Sequence, residues 1–129
     1  MIVGIGVDLC DIQRLESLVE RYGDRFVGRV FTEAEQARCH AHRRRAQCLA
    51  GRFAAKEATL KALGTGLSHG IAWRDVEVVT GESQAPRIEL HRMARSIAQA
   101  RGVERIHCSI THDGGMGAAT VILEASDGP

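Results

Sequence analysis

The chain has 129 residues, of which 44% are hydrophobic, 26% charged and 4% aromatic, and its net charge is +1, which suits a single soluble globular domain. No apolar run approaches the roughly 18 residues of a membrane span. The N-terminal segment MIVGIGV lacks the charged and long apolar regions of a signal peptide, so we expect a cytoplasmic protein.

The first predicted element is a buried strand, because MIVGIGV is apolar and rich in β-branched residues. Asp8 ends this strand, where it is either a turn residue or a functional carboxylate. Asp11 is a candidate N-cap for a helix that ends near Gly23. Four aliphatic side chains of this helix are predicted to point inward: Ile12, Leu15, Leu18 and Val19.

Three further helical segments follow. RFVGRVF predicts a short helical turn, and Thr32 with Glu35 forms a capping box at the start of the next helix. A long helix is then predicted from about Ala46 to Leu63, because Ala, Leu and Lys are good helix formers and Gly64 is a suitable stop.

Glu57 does not fit the apolar pattern of this long helix. It lies close to the stripe that Phe53 and Leu60 form on one helix face. A carboxylate at the edge of a buried face is costly unless something pairs with it. Lys61 is one partner, in a surface ion pair worth roughly a few tenths of a kcal/mol. The alternative is a divalent cation that Glu57 shares with Asp8.

The C-terminal half predicts strands, one helix and a hairpin. GTGLSHG is a glycine-rich loop, DVEVVT and RIEL are strands, and residues 91–101 form a helix that ends at Gly102. RIHCSIT and AATVILEA form the last two strands around the tight turn HDGGMG. The predicted fold class is α+β, with a small, mostly antiparallel sheet packed against one long helix. We expect a single domain over residues 1–124 and a frayed tail at 125–129.

The cysteines are predicted to be reduced structural thiols, because they form no CxxC pair and no regular framework. The four are Cys10, Cys39, Cys48 and Cys108. The run CHAHRRRAQC adds His40 and His42 to two of them, but its spacing matches no common zinc pattern.

Positive charge is concentrated in the centre of the chain. Between Arg38 and Lys61 there are seven Lys or Arg residues and one acid. This predicts an anionic partner such as phosphate, nucleic acid or an acidic protein, although a solvated arginine-rich face would look the same. The chain has fifteen arginines but only two lysines, Lys56 and Lys61. We expect both to be functional, because Lys can lose its proton when its pKa is lowered and can donate to phosphate as a point charge.

Together these residues predict magnesium-assisted transfer of a phosphorylated group. Mg²⁺ prefers one or two carboxylates plus water and phosphate oxygens, which Asp8 and Glu57 would help to supply if the first strand packs on the long helix. His112 is either a turn residue or, beside a phosphate, a donor and proton carrier. Three backbone N–H groups could approach a phosphate, those of Gly64, Thr65 and Gly66.

Five segments, in this order and at these separations, resemble the holo-acyl-carrier-protein synthases: GIGVDLCDIQRLE, FTEAE, GRFAAKEATLKALGTG, DVEVV and SITHDGGMGAA. These are the small 4′-phosphopantetheinyl transferases, and the resemblance runs from Met1 to about Glu124. It implies a 4′-phosphopantetheinyl transferase-like fold and a Mg²⁺-dependent enzyme of fatty acid biosynthesis. The enzyme would move the phosphopantetheine arm of coenzyme A to a serine of apo acyl carrier protein and release adenosine 3′,5′-bisphosphate.

The resemblance also implies catalytic roles. Asp8 and Glu57 would be the metal ligands, and Glu57, Lys61 and His112 the catalytic residues. Lys61 matches a lysine near the reacting phosphate that is either a general base or a charge stabiliser. We favour charge stabilisation, with water or a carboxylate taking the serine proton, because a neighbouring carboxylate keeps a lysine charged.

The remaining implied roles concern binding. Arg52 and His112 match positions that contact the phosphates of the nucleotide, the GTG loop and Pro86 complete the coenzyme A site, and Arg14 matches an arginine that reaches the acidic carrier protein. The family is usually a homotrimer with active sites between subunits, and no nucleic acid or membrane partner is implied. One departure is Gln84 in SQAPRIEL, where the family usually has glycine in the turn beside the adenine, and a positive φ is less comfortable for Gln.

Two other classes of function fit parts of the pattern. A non-catalytic module could bind RNA or an acidic protein through the basic segment, but it would not need the paired Asp8 and Glu57. It would also be expected to carry more exposed aromatic residues than one Tyr and one Trp. A magnesium phosphohydrolase would instead consume coenzyme A with water and without a protein acceptor.

Overall fold

A computed structural model describes residues 1–81 and 85–127, so the predicted departure at Gln84 lies outside the described residues. Its helices and strands, in chain order, are β1 (Ile2–Asp11), α1 (Ile12–Tyr22), α2 (Asp24–Val30), α3 (Glu33–His40), α4 (Arg45–Leu63), β2 (Val76–Thr80), β3 (Pro86–Leu90), α5 (Arg92–Ala100), β4 (Val103–Asp113) and β5 (Met116–Ala125). A single 3₁₀ turn, Trp73–Asp75, precedes β2. None of the helices described in these two ranges has the length and apolar character needed to cross a bilayer.

The strands form two antiparallel sheets around α4. One has the order β1-β5-β4, and the other pairs β2 with β3. The α+β class and the long helix are confirmed, but the one predicted sheet is divided in two. The β4–β5 hairpin turns at Gly114 and Gly115, which have φ of 57° and 79°, because a tight hairpin turn of this kind needs positive φ at both central residues.

The predicted helix caps are confirmed. The Asp11 side chain accepts a hydrogen bond from the N–H of Arg14 at 3.0 Å and begins α1. Thr32 and Glu35 form the reciprocal capping box of α3, with bonds of 2.8 and 3.2 Å. These signals could be recognised in the sequence because a cap involves only neighbouring residues.

Two glycines let β1 lie directly on the backbone of α4. A Cβ atom at Gly6 would overlap the carbonyl oxygen of Ala58, and one at Gly4 would overlap that of Ala62. Only glycine permits so close an approach between a strand and a helix. Asp8, two residues beyond Gly6, is thereby brought to the part of α4 that carries Glu57.

Lys56 is fully buried in the middle of the fold. Its ammonium contacts Oε1 of Glu35 at 2.7 Å and the carbonyl of Val76, and Oε2 of Glu35 accepts from the N–H of Val78 at 2.9 Å. Burial lowers the pKa of Lys56, and Glu35 opposes that shift. The prediction that Lys56 supplies charge to a phosphate is therefore wrong, because this lysine ties α3, α4 and β2 together.

Cys39 and Cys48 form a disulfide between the end of α3 and the first turn of α4, with their Cα atoms 5.4 Å apart. The expectation of four reduced thiols is therefore wrong for this pair. Packing of α3 on α4 brings the two cysteines together, which their spacing in the sequence did not indicate. Cys10 and Cys108 are free thiols whose pKa burial raises to about 11, so both are protonated at neutral pH.

The two ends of the chain meet beside β5. The N–H of Ala125 donates to the carbonyl of Met1 at 2.8 Å, and the terminal ammonium contacts Asp127 at 2.5 Å. Strand β5 includes Ala125, so the predicted tail begins no earlier than residue 126. Residues 128 and 129 lie outside the described part of the chain.

Candidate active site

The packing of β1 on α4 brings the carboxylates of Asp8 and Glu57 close enough for the charge of Asp8 to raise the pKa of Glu57. Both line a cavity of about 370 Å³ between β1, α1 and α4. Oδ1 of Asp8 accepts from the N–H of Leu9 at 2.8 Å. Oδ2 is buried and, among the residues that the structure describes, no group donates a hydrogen bond to it.

Burial, and then the neighbouring Asp8, raise the pKa of Glu57 from 4.5 to about 7, whereas Lys61 and Arg14 oppose the shift. Without a cation, Glu57 is therefore about half-protonated at neutral pH. This accounts for a glutamate at the edge of an apolar helix face, because a shared proton or a cation neutralises it.

The carboxylate pair fits a divalent cation of the magnesium type. Two carboxylates converge from different elements, and one buried oxygen of Asp8 has no donor. Mg²⁺ takes one or two protein carboxylates and completes its shell with water and phosphate oxygens. Asp8 and Glu57 are therefore the residues that could hold such an ion.

Lys61 stands at the solvent side of this pair. Its ammonium forms an ion pair with Oδ2 of Asp8 at 3.3 Å, but the angle does not suit a hydrogen bond. The same ammonium donates to the carbonyl of Val7 at 3.3 Å. The side chain is 58% exposed, so it can reach a group bound outside the carboxylates. The i,i+4 spacing on α4 thus gives Glu57 and Lys61 a common face, as the sequence predicts.

The GTG loop follows directly after Lys61. Gly64 caps α4 in the left-handed conformation with φ of 77°, and Gly66 has φ of 58°. The Thr65 hydroxyl donates to the carbonyl of Gly66 at 3.0 Å.

Sequence reasoning missed an apolar pocket beside the loop. A pocket of about 270 Å³ lies next to Glu57, Lys61 and Gly66, and Leu67 and Trp73 line it. Its position next to the carboxylates depends on how the segment after the GTG loop folds back, which no pattern in the sequence indicates.

A separate, basic cavity of about 260 Å³ is lined by the predicted nucleotide-binding residues Arg52, Pro86 and His112, together with Thr80. Nη2 of Arg52 donates to the Thr80 hydroxyl at 2.9 Å. Its buried Nε donates to no acceptor among the described residues, so a donor is available to an anion. Burial lowers the pKa of Arg52, but Glu35 opposes that shift and the guanidinium stays charged at neutral pH.

Gly51 makes room for His112 in this cavity. The Nε2–H of His112 donates to the carbonyl of Gln47 at 2.9 Å. A Cβ at residue 51 would lie 2.7 Å from Nε2 of His112, so a larger side chain would displace the ring. Thr80 and Gly51 are site residues that sequence reasoning did not identify.

Among the described residues of one chain, none that lines the basic cavity also lines the carboxylate cavity or the apolar pocket beside it. Arg52 and Glu57 are five residues apart on α4 and therefore point about 140° apart around the helix axis. The chain thus brings Asp8, Glu57, Lys61 and the GTG loop together, and separately Arg52, Pro86 and His112. A direct role for His112 beside Lys61 stays a prediction.

Arg14 lies near the carboxylate pair, in the first turn of α1. It lines the cavity of Asp8 and Glu57 and lowers the pKa of Glu57 by its charge. Because α1 forms one wall of this cavity, Arg14 is placed where a macromolecule that approaches the carboxylates would meet it.

The fold and the sequence both match known proteins. The family model of the 4′-phosphopantetheinyl transferase superfamily matches residues 4–116. The chain is 52% identical to the holo-[acyl-carrier-protein] synthase of Methylobacterium radiotolerans, with 97% of this chain and 95% of that protein covered. It is 50% identical to the enzyme of that name from Mesorhizobium japonicum, with 97% and 94% covered.

Solved structures also match the fold of this chain. The Neisseria meningitidis holo-[acyl-carrier-protein] synthase superposes with a TM-score of 0.88 at 29% identity, over 96% of this chain and 99% of that chain. The Helicobacter pylori enzyme in complex with coenzyme A has a TM-score of 0.82 at 29% identity, over 93% and 99%. The family model, the relatives and the fold thus show a protein of the 4′-phosphopantetheinyl transferase class. Within that class, the chain belongs to the holo-acyl-carrier-protein synthase family, which transfers phosphopantetheine to apo acyl carrier protein.

Proposed function

We propose that the chain transfers the 4′-phosphopantetheine group of coenzyme A to a serine of apo acyl carrier protein with Mg²⁺ held by Asp8 and Glu57. The product would be the holo carrier protein of fatty acid biosynthesis in the cytoplasm, with adenosine 3′,5′-bisphosphate released. The observation that carries the proposal is the convergence of two carboxylates from β1 and α4, with one buried oxygen to which no described residue donates a hydrogen bond.

The bound Mg²⁺ would supply positive charge to the pyrophosphate oxygens and to the leaving bisphosphate. Lys61, an ammonium 3.3 Å from Asp8 and mostly exposed, would neutralise charge that develops on the transferred phosphoryl group. The serine proton would pass to water or to a carboxylate. The GTG loop would place backbone N–H groups beside the same phosphates.

We further propose that the basic cavity of Arg52, Pro86 and His112 binds the nucleotide part of coenzyme A. The Nε donor of Arg52, which no described residue accepts from, supports an anion there, and guanidinium groups suit phosphate. A Bacillus anthracis holo-acyl-carrier-protein synthase, 34% identical, was solved in complex with coenzyme A (3′,5′-ADP). Arg14 would contact the acidic carrier protein.

The activity is tested directly by mass spectrometry. Incubation of the protein with coenzyme A, Mg²⁺ and an apo carrier protein is expected to add one phosphopantetheine arm to the carrier, and replacing its acceptor serine with alanine should prevent the addition. Hydrolysis of coenzyme A without a gain of carrier mass would identify a phosphohydrolase instead. The absence of both reactions would instead favour a non-catalytic binding module.

We also propose a homotrimer whose active sites lie between subunits. Two observations support it. Among the described residues of one chain, none lines both the basic cavity of Arg52 and the carboxylate cavity, so a second copy could unite them. The face of β1 away from α4 is apolar and exposed, with Ile5 67%, Val7 60% and Leu9 59% exposed, and such a face is typical of a subunit interface.

An Ile5→Glu substitution is expected to dissociate the trimer, because it puts a charge in the middle of this apolar face. Sedimentation should give about three times the chain mass for the native protein and one chain mass for the variant. Met93→Glu is the matched control, since Met93 is an exposed apolar residue on α5. A native protein that sediments as a monomer, or an Ile5→Glu variant that stays trimeric, would contradict this interface.

A further inference from the structure

A second group of metal-ligating side chains lies away from the active site, on the β2–β3 sheet. Glu77 of β2 stands directly opposite Glu89 of β3 in the register, and His91 follows β3 at the start of α5. One ligand atom of each residue lies within 4.8 Å of those of the other two. Nε2 of His91 is 2.9 Å from Oε1 of Glu77.

A cation between the opposed carboxylates would relieve the repulsion between them. Like charges directly across an antiparallel pair destabilise a sheet. Arg87 lies 3.3 Å from Glu89, but both side chains are largely exposed, and such pairs contribute little.

The surrounding structure holds the group in place. The Thr32 hydroxyl at the N-cap of α3 donates to Oε2 of Glu77 at 2.7 Å and leaves Oε1 directed at His91. The backbone N–H of His91 donates to the carbonyl of Asp75 at 2.7 Å, which fixes the backbone at this residue. The Thr32 bond orients the Glu77 carboxylate, as hydrogen bonds to metal-ligating carboxylates do.

We propose that Glu77, Glu89 and His91 bind a divalent transition-metal ion of the Zn²⁺ type. One imidazole nitrogen and two carboxylate oxygens leave a fourth position for water, and His91 and Glu89 are open to solvent. An imidazole ligand favours Zn²⁺ over Mg²⁺, whereas the Asp8–Glu57 pair has oxygen ligands only. The ion would join β2, β3 and α5, and it would take no part in the transfer reaction.

The test is a calorimetric titration of the full chain with Zn²⁺ in excess Mg²⁺, which occupies hard oxygen sites. The native protein is expected to bind one Zn²⁺ at this group, with affinity reduced at least about tenfold by His91→Ala and by Glu89→Gln. Zn²⁺ should also raise the Tm of the native protein but not that of either variant. Glu89 is exposed, so its variant should fold even where His91→Ala does not.

His107 provides a matched control. It forms a similar pair with Glu124 at 2.9 Å, but the part of the chain that the structure describes places no third ligand beside it. His107→Ala is therefore expected to bind Zn²⁺ like the native protein. Absence of Zn²⁺ binding by the native protein, unchanged binding by Glu89→Gln, or an equal loss in His107→Ala would overturn the proposal. These outcomes are independent of transferase activity, because the two sites share no residue.

Discussion

Replacement of Glu57 by Gln is expected to slow transfer strongly and, at the same time, to stabilise the metal-free protein as the pH rises from 4.5 through 7. The amide keeps the shape of the side chain but removes one of the two proposed metal ligands. We expect the transfer rate to fall by about 10²- to 10³-fold, a typical loss when a group that stabilises transition-state charge is removed. The rate of carrier modification, followed by mass spectrometry, measures the effect.

The stability change follows from the pKa of Glu57. Burial and Asp8 raise it from 4.5 to about 7, so the unfolded chain loses this proton at a lower pH than the folded protein. The favourable contribution of the protonated form is complete below pH 4.5 and is lost as the pH rises through 7. Glu57→Gln should therefore gain stability relative to the native protein across this window. The gain is on the order of 1 kcal/mol, because the group is only half-buried and its interactions are screened.

Thermal unfolding without and with Mg²⁺ checks this prediction. Mg²⁺ should raise the Tm of the native protein more at pH 8 than at pH 5.5, because at pH 5.5 a proton competes with the ion for the pair. It should not raise the Tm of Glu57→Gln. Glu16→Gln, on an exposed position of α1, is the control and should behave like the native protein. Full activity in Glu57→Gln would refute the proposed metal site.

Replacement of Lys56 by Met is expected to cost about 3–5 kcal/mol of stability, which is typical when one partner of a buried ion pair is removed. The substitution leaves Glu35 without its cation in a fully buried position and removes the bond to the carbonyl of Val76. Urea unfolding followed by circular dichroism measures the loss. The double variant with Glu35→Gln should recover part of it, because no unpaired charge then remains.

Lys61→Met is the matched control for this prediction, since it makes the same change on the same helix. Lys61 is 58% exposed, and its ion pair with Asp8 is expected to contribute little to stability. This variant should lose transfer activity and retain the native unfolding midpoint. Equal losses of stability in the two lysine variants would contradict the separate roles assigned to them.

Much of the local structure could be predicted from the sequence. Asp11, the Thr32–Glu35 capping box and Gly64 mark helix ends through contacts between neighbouring residues, and the observed helices begin and end there. The segment RIHCSIT was likewise predicted as a strand, and it lies within β4. Such signals involve only residues close together in the sequence, so they do not depend on tertiary contacts.

The tertiary structure alone decided the roles of particular side chains. Lys56 and Lys61 look alike in the sequence, but five residues on a helix place them about 140° apart, and only one faces Glu35 from α3. The Cys39–Cys48 disulfide likewise depends on how α3 packs on α4. The sequence determined where helices end and which residue types are available, because those depend on nearest neighbours. The partner of each side chain depended on contacts between residues far apart in the chain, and packing decided those.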